Sequence, residues 1–147
     1  MGVSLPVKLD DLPPHRAHVL LATEDPGLRV QIEETLRRDG HRVSAVEDGV
    51  ELLDRLSEPS GDRIHLVIAD IELSGFTGLE VLGLTEATPD RPPVVLMAAS
   101  AELTMRRAAR HFGASSIIAR PFDIDEFRLL VGALLRPHYR SPSARAA

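Results

Sequence analysis

The sequence predicts an α/β fold: a single doubly wound, five-stranded parallel sheet with strand order 2-1-3-4-5. Three observations predict it. Short apolar runs alternate five times with helical patterns. Most of these runs are apolar at consecutive positions, as strands buried on both faces require. The links are short, and right-handed crossovers then leave few other topologies.

The strands are read as His18 to Ala22, Arg42 to Val46, Leu66 to Ala69, Val94 to Ala98 and Ser116 to Ala119, the second being weaker and suited to an edge. Leu28, Ile32 and Leu36 recur every four residues, and Gly40 is placed to end that helix. Val50, Leu53 and Leu56 mark a second helix. Leu79, Val81 and Leu82 mark a short third, bounded by Gly78 and the breakers Pro89, Pro92 and Pro93. Leu103, Ala108, Ala109 and Phe112 form a fourth that stops at Gly113. The fifth opens at Asp123, with Glu126 three positions on as a carboxylate variant of the capping box, and presents Phe127, Leu130, Val131 and Leu134. Residues 1–16, with Pro6, Pro13 and Pro14, read as an irregular arm. Residues 17–136 read as the domain and 137–147 as a flexible tail.

The chain has 147 residues, 44% hydrophobic and 27% charged, which is ordinary globular usage for one domain. No apolar run nears the roughly 18 residues of a membrane span, and the opening lacks the order of a secretory signal, so a cytoplasmic protein is expected. Without cysteine there is no disulfide, thiolate metal site or cysteine nucleophile. A net charge of −5 with 3% aromatics gives no general reason to bind nucleic acid.

In this strand order the first and third strands meet at the switch point, where ligands of open α/β sheets gather beyond the carboxyl ends. The first strand ends in Thr23-Glu24-Asp25-Pro26 and the third in Ala69-Asp70, so carboxylates converge from two segments. Such oxygen ligands suit Mg²⁺, which takes one or two carboxylates, keeps several waters and offsets the repulsion between Glu24 and Asp70. For Asp25 the plainer role is to cap the first helix, with Pro26 at its first position.

The stretch HLVIADIELSGFTGLEVL resembles the acceptor-aspartate segment of response-regulator receiver domains. VLLATEDPGLR is similar to their acidic first turn, and GASSIIARPFDIDEF to their fifth strand, basic-Pro junction and last helix. The resemblance spans about residues 17 to 136 and implies the flavodoxin-like receiver fold. It also implies Asp70 as phosphoryl acceptor and Mg²⁺ on Glu24, Asp70 and the backbone carbonyl of Glu72, with Gly75 and Gly78 shaping the loop. The implied partners are a histidine kinase or phosphotransfer protein upstream and an unknown protein downstream.

Several positions depart from the pattern. The first acidic position is Thr23 and the second Glu24. The hydroxyl position is Ala98, which cannot bond a phosphoryl oxygen. The Lys position is Arg120, a planar fork in place of a compact ammonium. The aromatic switch position is Ile117, read as a surface or packing residue. Ser100 is either a substitute hydroxyl or an N-cap. Two modes of action follow: a stand-alone atypical receiver phosphorylated on Asp70, or a phosphorylation-independent docking module.

An enzyme of similar topology is the rival from another class, but neither a Gly-rich phosphate loop nor a nucleophile-elbow pattern is present. A flavodoxin-like carrier would want hydroxyls and glycines where TEDPG is acidic. Arg106, Arg107 and Arg110 on the fourth helix, and Asp123, Asp125 and Glu126 at the start of the fifth, are either solvated faces or pairs across a two-fold dimer through the fourth helix, fifth strand and fifth helix, with Ile117 adding apolar contact.

Overall fold

The computed structural model describes residues 17–58, 62–100 and 102–136. The segments read as an arm (1–16) and a tail (137–147) lie outside the described residues. Five strand-helix units follow one another: β1 (His18–Ala22), α1 (Pro26–Arg38), β2 (Arg42–Val46), α2 (Gly49–Ser57), β3 (Leu66–Asp70), α3 (Gly78–Leu84), β4 (Val94–Ala98), α4 (Leu103–His111), β5 (Ser116–Ala119) and α5 (Ile124–Leu134). All pairings are parallel, in the order β2-β1-β3-β4-β5.

Alternation along each strand divides the core into two layers. Leu20, Ala22, Val67, Ala69, Leu96 and Ile117 pack with Leu52 of α2, Val81 and Leu82 of α3 and Ala109 of α4. Val19, Leu21, Ile68, Val95 and Met97 pack on the other face with Ile32 and Leu36 of α1 and Phe127, Val131 and Leu134 of α5. β1, β3 and β4 are buried along their whole length, which is why their sequences run apolar without alternating.

Local chemistry sets the helix ends. Asp25 caps α1, its carboxylate accepting from the amides of Gly27 and Leu28 at 3.0 and 3.1 Å, with Pro26 as first helical residue. Asp48 caps α2 and Asp123 caps α5. At α3, Thr77 and Glu80 form a reciprocal capping box that the T-x-x-E spacing encodes. Gly40 and Gly113 leave their helices at positive φ.

Three readings shift. β3 runs one residue further and takes in Asp70, in register with Met97. α2 turns Leu52 into the core and leaves Val50 exposed, because the helix begins at Gly49, whose missing side chain lets it press on the backbone of Phe76. Ser100 caps nothing: the N-cap of α4 is Glu102, without a side-chain bond.

Candidate functional site

The carboxyl ends of β1, β3, β4 and β5 lie side by side and present the site. The amide of Ile71 donates to Met97 O at 2.9 Å and that of Arg120 to Ala98 O at 2.8 Å, so the residues leaving β3 and β5 are both tied to the end of β4. Asp70 is 3% exposed. Its two carboxylate oxygens have different surroundings. Oδ2 accepts from the Thr23 hydroxyl at 2.5 Å. Oδ1 is buried without a hydrogen-bond partner, and the nearest cation is the guanidinium of Arg120 at 3.3 Å, close enough for an ion pair but not aligned for a hydrogen bond.

Burial pushes the Asp70 carboxyl above its ordinary range. The Thr23 hydrogen bond and the Arg120 charge oppose this, while Asp25 and Glu72 add to it. The first-strand turn is itself ordered around Thr23, whose hydroxyl oxygen accepts from the Asp25 amide at 3.1 Å.

Glu24 lies exposed at the same end of the sheet, and its Oε2 accepts from the Ser74 amide at 2.6 Å, tying the β1-α1 turn to the loop after β3. Glu72 is exposed on that loop. Gly75 holds φ +83° there, where L side chains are strained, and Gly78 lets α3 touch the strand: a Cβ on Gly78 would lie 2.5 Å from Asp70 O. The backbone of Asp70 is therefore wedged against the first turn of a helix.

The residues expected to hold Mg²⁺ supply two carboxylates, Glu24 and Asp70, at the same end of the sheet. Two carboxylates fit a cation that keeps most of its water shell. Among the described residues no group of three or more His, Cys, Asp or Glu is arranged to hold a metal.

Ala98 is buried at the end of β4 and brings no hydroxyl, and Ser100 is exposed two residues on. Ile117 is 8% exposed and belongs to the core, so it is a packing residue; the apolar dimer contact expected of it is largely used up inside the domain.

Sequence reasoning missed two participants, Thr23 and Ser74, and one buried cation at the far end of the sheet, Arg91. Thr23 was read as a lost acid, whereas its hydroxyl donates to Asp70. Ser74 carries no motif signal, because it acts through its backbone. Arg91, in a proline-flanked loop that reads as surface, is 4% exposed. It donates to Leu82 O, Thr85 Oγ1, Phe112 O and Gly113 O at 2.8 to 3.3 Å, joining the carboxyl ends of α3 and α4.

The family profile of the response regulator receiver domain matches residues 19–131. Sporulation initiation phosphotransferase F of Bacillus subtilis is 29% identical over 110 residues, which cover 75% of this chain and 86% of that protein. Regulatory protein VirG of Agrobacterium tumefaciens is 34% identical over 123 residues, 82% of this chain and 45% of the relative. The response regulator MprA of Mycobacterium avium is likewise matched over 50% of its length, so the chain spans about half of these longer relatives. Among solved structures, the receiver domain of HemR from Leptospira biflexa superposes with a TM-score of 0.70 at 26% identity, covering 84% of this chain and 99% of that one. Response regulator TrrA of Thermotoga maritima, solved in complex with Mg²⁺-BeF, gives 0.68 at 25% identity, covering 80% and 98%. With a two-layered core, a buried Asp70 at the switch point and a family match over most of its length, this chain belongs to the response-regulator receiver domains of two-component signalling.

Proposed function

We propose that the domain, residues 17–136, is an atypical receiver that takes a phosphoryl group on Asp70 from a histidine kinase or phosphotransfer protein and acts by binding a downstream protein, not as an enzyme. One observation carries this reading: Asp70 stands at the carboxyl end of a central strand with Oδ1 free of hydrogen bonds and the Arg120 guanidinium 3.3 Å away. A phosphorylated side chain brings about 1.5 to 2 negative charges and three acceptor oxygens. Arg120, partly exposed and adjacent, is the donor for them. Glu24, Asp70 and the Glu72 carbonyl are the proposed Mg²⁺ ligands. The cation supplies charge neutralisation, and the TrrA complex with Mg²⁺-BeF is consistent with that role.

The upstream partner is consistent with the family, whose receivers interact with histidine kinases or phosphotransfer proteins. Among the described residues no helix is long and apolar enough to cross a membrane, which agrees with the proposed cytoplasmic location. A homodimer through α4, β5 and α5 is proposed on charge alone: Arg107 and Arg110 lie on α4, and Asp123, Asp125 and Glu126 at the start of α5.

A second reading, a docking module independent of phosphorylation, is favoured by Ala98 and Ile117. With no hydroxyl at the end of β4 and a packed Ile on β5, a phosphoryl group on Asp70 has no familiar way to reach the surface. Incubation with acetyl phosphate and Mg²⁺, followed by intact mass measurement, separates the two. An acid-stable, base-labile gain of one phosphoryl mass, absent in Asp70→Asn, supports the acceptor. No gain across a full Mg²⁺ titration leaves the docking module.

A further inference from the structure

The strongest departure at the site is also its best-ordered contact. A Thr hydroxyl has one proton to give and two lone pairs to receive. At Thr23 the hydroxyl oxygen accepts from the Asp25 amide at 3.1 Å, and the hydroxyl donates to Asp70 Oδ2 at 2.5 Å. Thr23 is 2% exposed, so water does not compete. By strand alternation Thr23 and Asp70 lie on the same side of neighbouring strands, following Leu21 and Ile68 in the layer under α1 and α5. A carboxylate at position 23 would repel Asp70, whereas the hydroxyl donates to it.

We infer that Thr23 is a positioning residue, whose hydroxyl, aimed by the Asp25 amide, ties up Oδ2 of Asp70 and leaves Oδ1, beside Arg120, as the oxygen that reacts. This rests on the acceptor reading of Asp70. With acetyl phosphate as donor, Oδ1 attacks phosphorus, the new O–P bond forms and the P–O bond to acetate breaks, acetate leaving with the electron pair. Through the transfer Thr23 keeps its proton and holds the carboxylate against rotation, so that Oδ1 stays turned toward Arg120. A carboxylate without that hydrogen bond would be free to rotate, and Oδ1 would no longer be held toward the guanidinium. Because Thr23 hangs from the β1-α1 turn through the Asp25 amide, the orientation of the acceptor is set by the same turn that caps α1.

Thr23→Ser keeps the hydroxyl and Thr23→Val keeps the shape. With acetyl phosphate at fixed Mg²⁺, Thr23→Val is expected to lower the rate of phosphoryl gain about tenfold with KM unchanged, the size of one lost hydrogen bond to a charged group. Thr23→Ser is expected to stay within about twofold of the parent. A Val variant as fast as the parent overturns the inference, as does a Ser variant as slow as Val, since the shape of the side chain and not its hydroxyl would then matter. Melting curves of both variants separate lost positioning from lost folding. A sheltered hydroxyl proton also exchanges slowly and is visible by proton NMR at Thr23. If the parent takes no phosphoryl group, the acceptor reading has failed on its own, and this resonance still decides the geometry. Its presence, with a shift in Asp70→Ala, supports the tie to Oδ2, and its absence from the parent overturns it.

Discussion

Asp70 stands in a place that opposes its charge. Burial outweighs the help from Thr23 and Arg120, so its folded-state pKa lies above the ordinary 3.8. The sign follows from linkage: the native state binds the proton more tightly than the unfolded chain, so stability falls as pH rises from 3.8 through the folded value, and the penalty persists at neutral pH. Asp70→Asn removes the charge and keeps an oxygen for the Thr23 hydroxyl. It is therefore expected to raise the melting temperature at pH 7, by roughly 4 °C for each kcal/mol gained in a domain of this size. The gain should vanish near pH 3. Calorimetry at both pH values checks this, and a lower melting temperature at pH 7 would mean that the Arg120 pair outweighs burial.

The amino end of β1 carries the opposite sign. Arg42 Nη2 lies 3.2 Å from His18 Nδ1, and since a guanidinium is only a donor, that nitrogen accepts. His18 Nε2 then donates to Ser44 Oγ at 2.6 Å, and the His18 amide donates to Nδ1 of His65 at 2.9 Å. Both rings are thus held neutral. Burial lowers the pKa of His18, with the charges of Arg42 and Arg55 adding to it and Asp62 opposing. Burial and then Arg63 and Arg42 lower His65, and burial lowers His41 against Asp39. Below 6.5 the unfolded chain takes these protons first, so stability is lost as pH falls from 6.5 through the folded values. The urea midpoint is expected to be lower at pH 5.5 than at 7.5, with a smaller difference in His18→Gln; equal midpoints would refute it. At the other end of the sheet, the first turn of α3 has no room for a side chain at Gly78. Gly78→Ala sets a Cβ against Asp70 O and the Ile71 Cα, and is expected to cost about 1 to 3 kcal/mol in urea unfolding, because it displaces the backbone of Asp70.

The strand order, both core layers and the position of Asp70 were legible because apolar runs, glycine stops and strand-end acids each write a local signal. Contacts made across the sheet were not. Val50 and Leu52 differ by two positions on a nine-residue helix, too short for periodicity to choose its inner face. Ile117 reads as exposed if β5 is taken for an open edge, whereas its side chain belongs to the core layer that includes Ala109 of α4. A threonine in an acid's place reads as a loss until its partner 47 positions away is known. Arg91 is the largest such omission, and its consequence concerns how the molecule opens. Its guanidinium fastens the last turns of α3 and α4, which belong to separate strand-helix units, so neither helix end frays alone. In native-state hydrogen exchange the amides of Thr85 and Gly113 should therefore report a shared opening free energy and respond together to low urea. Arg91→Lys, which offers a point charge where a fork spans four acceptors, should uncouple them into two independently breathing segments.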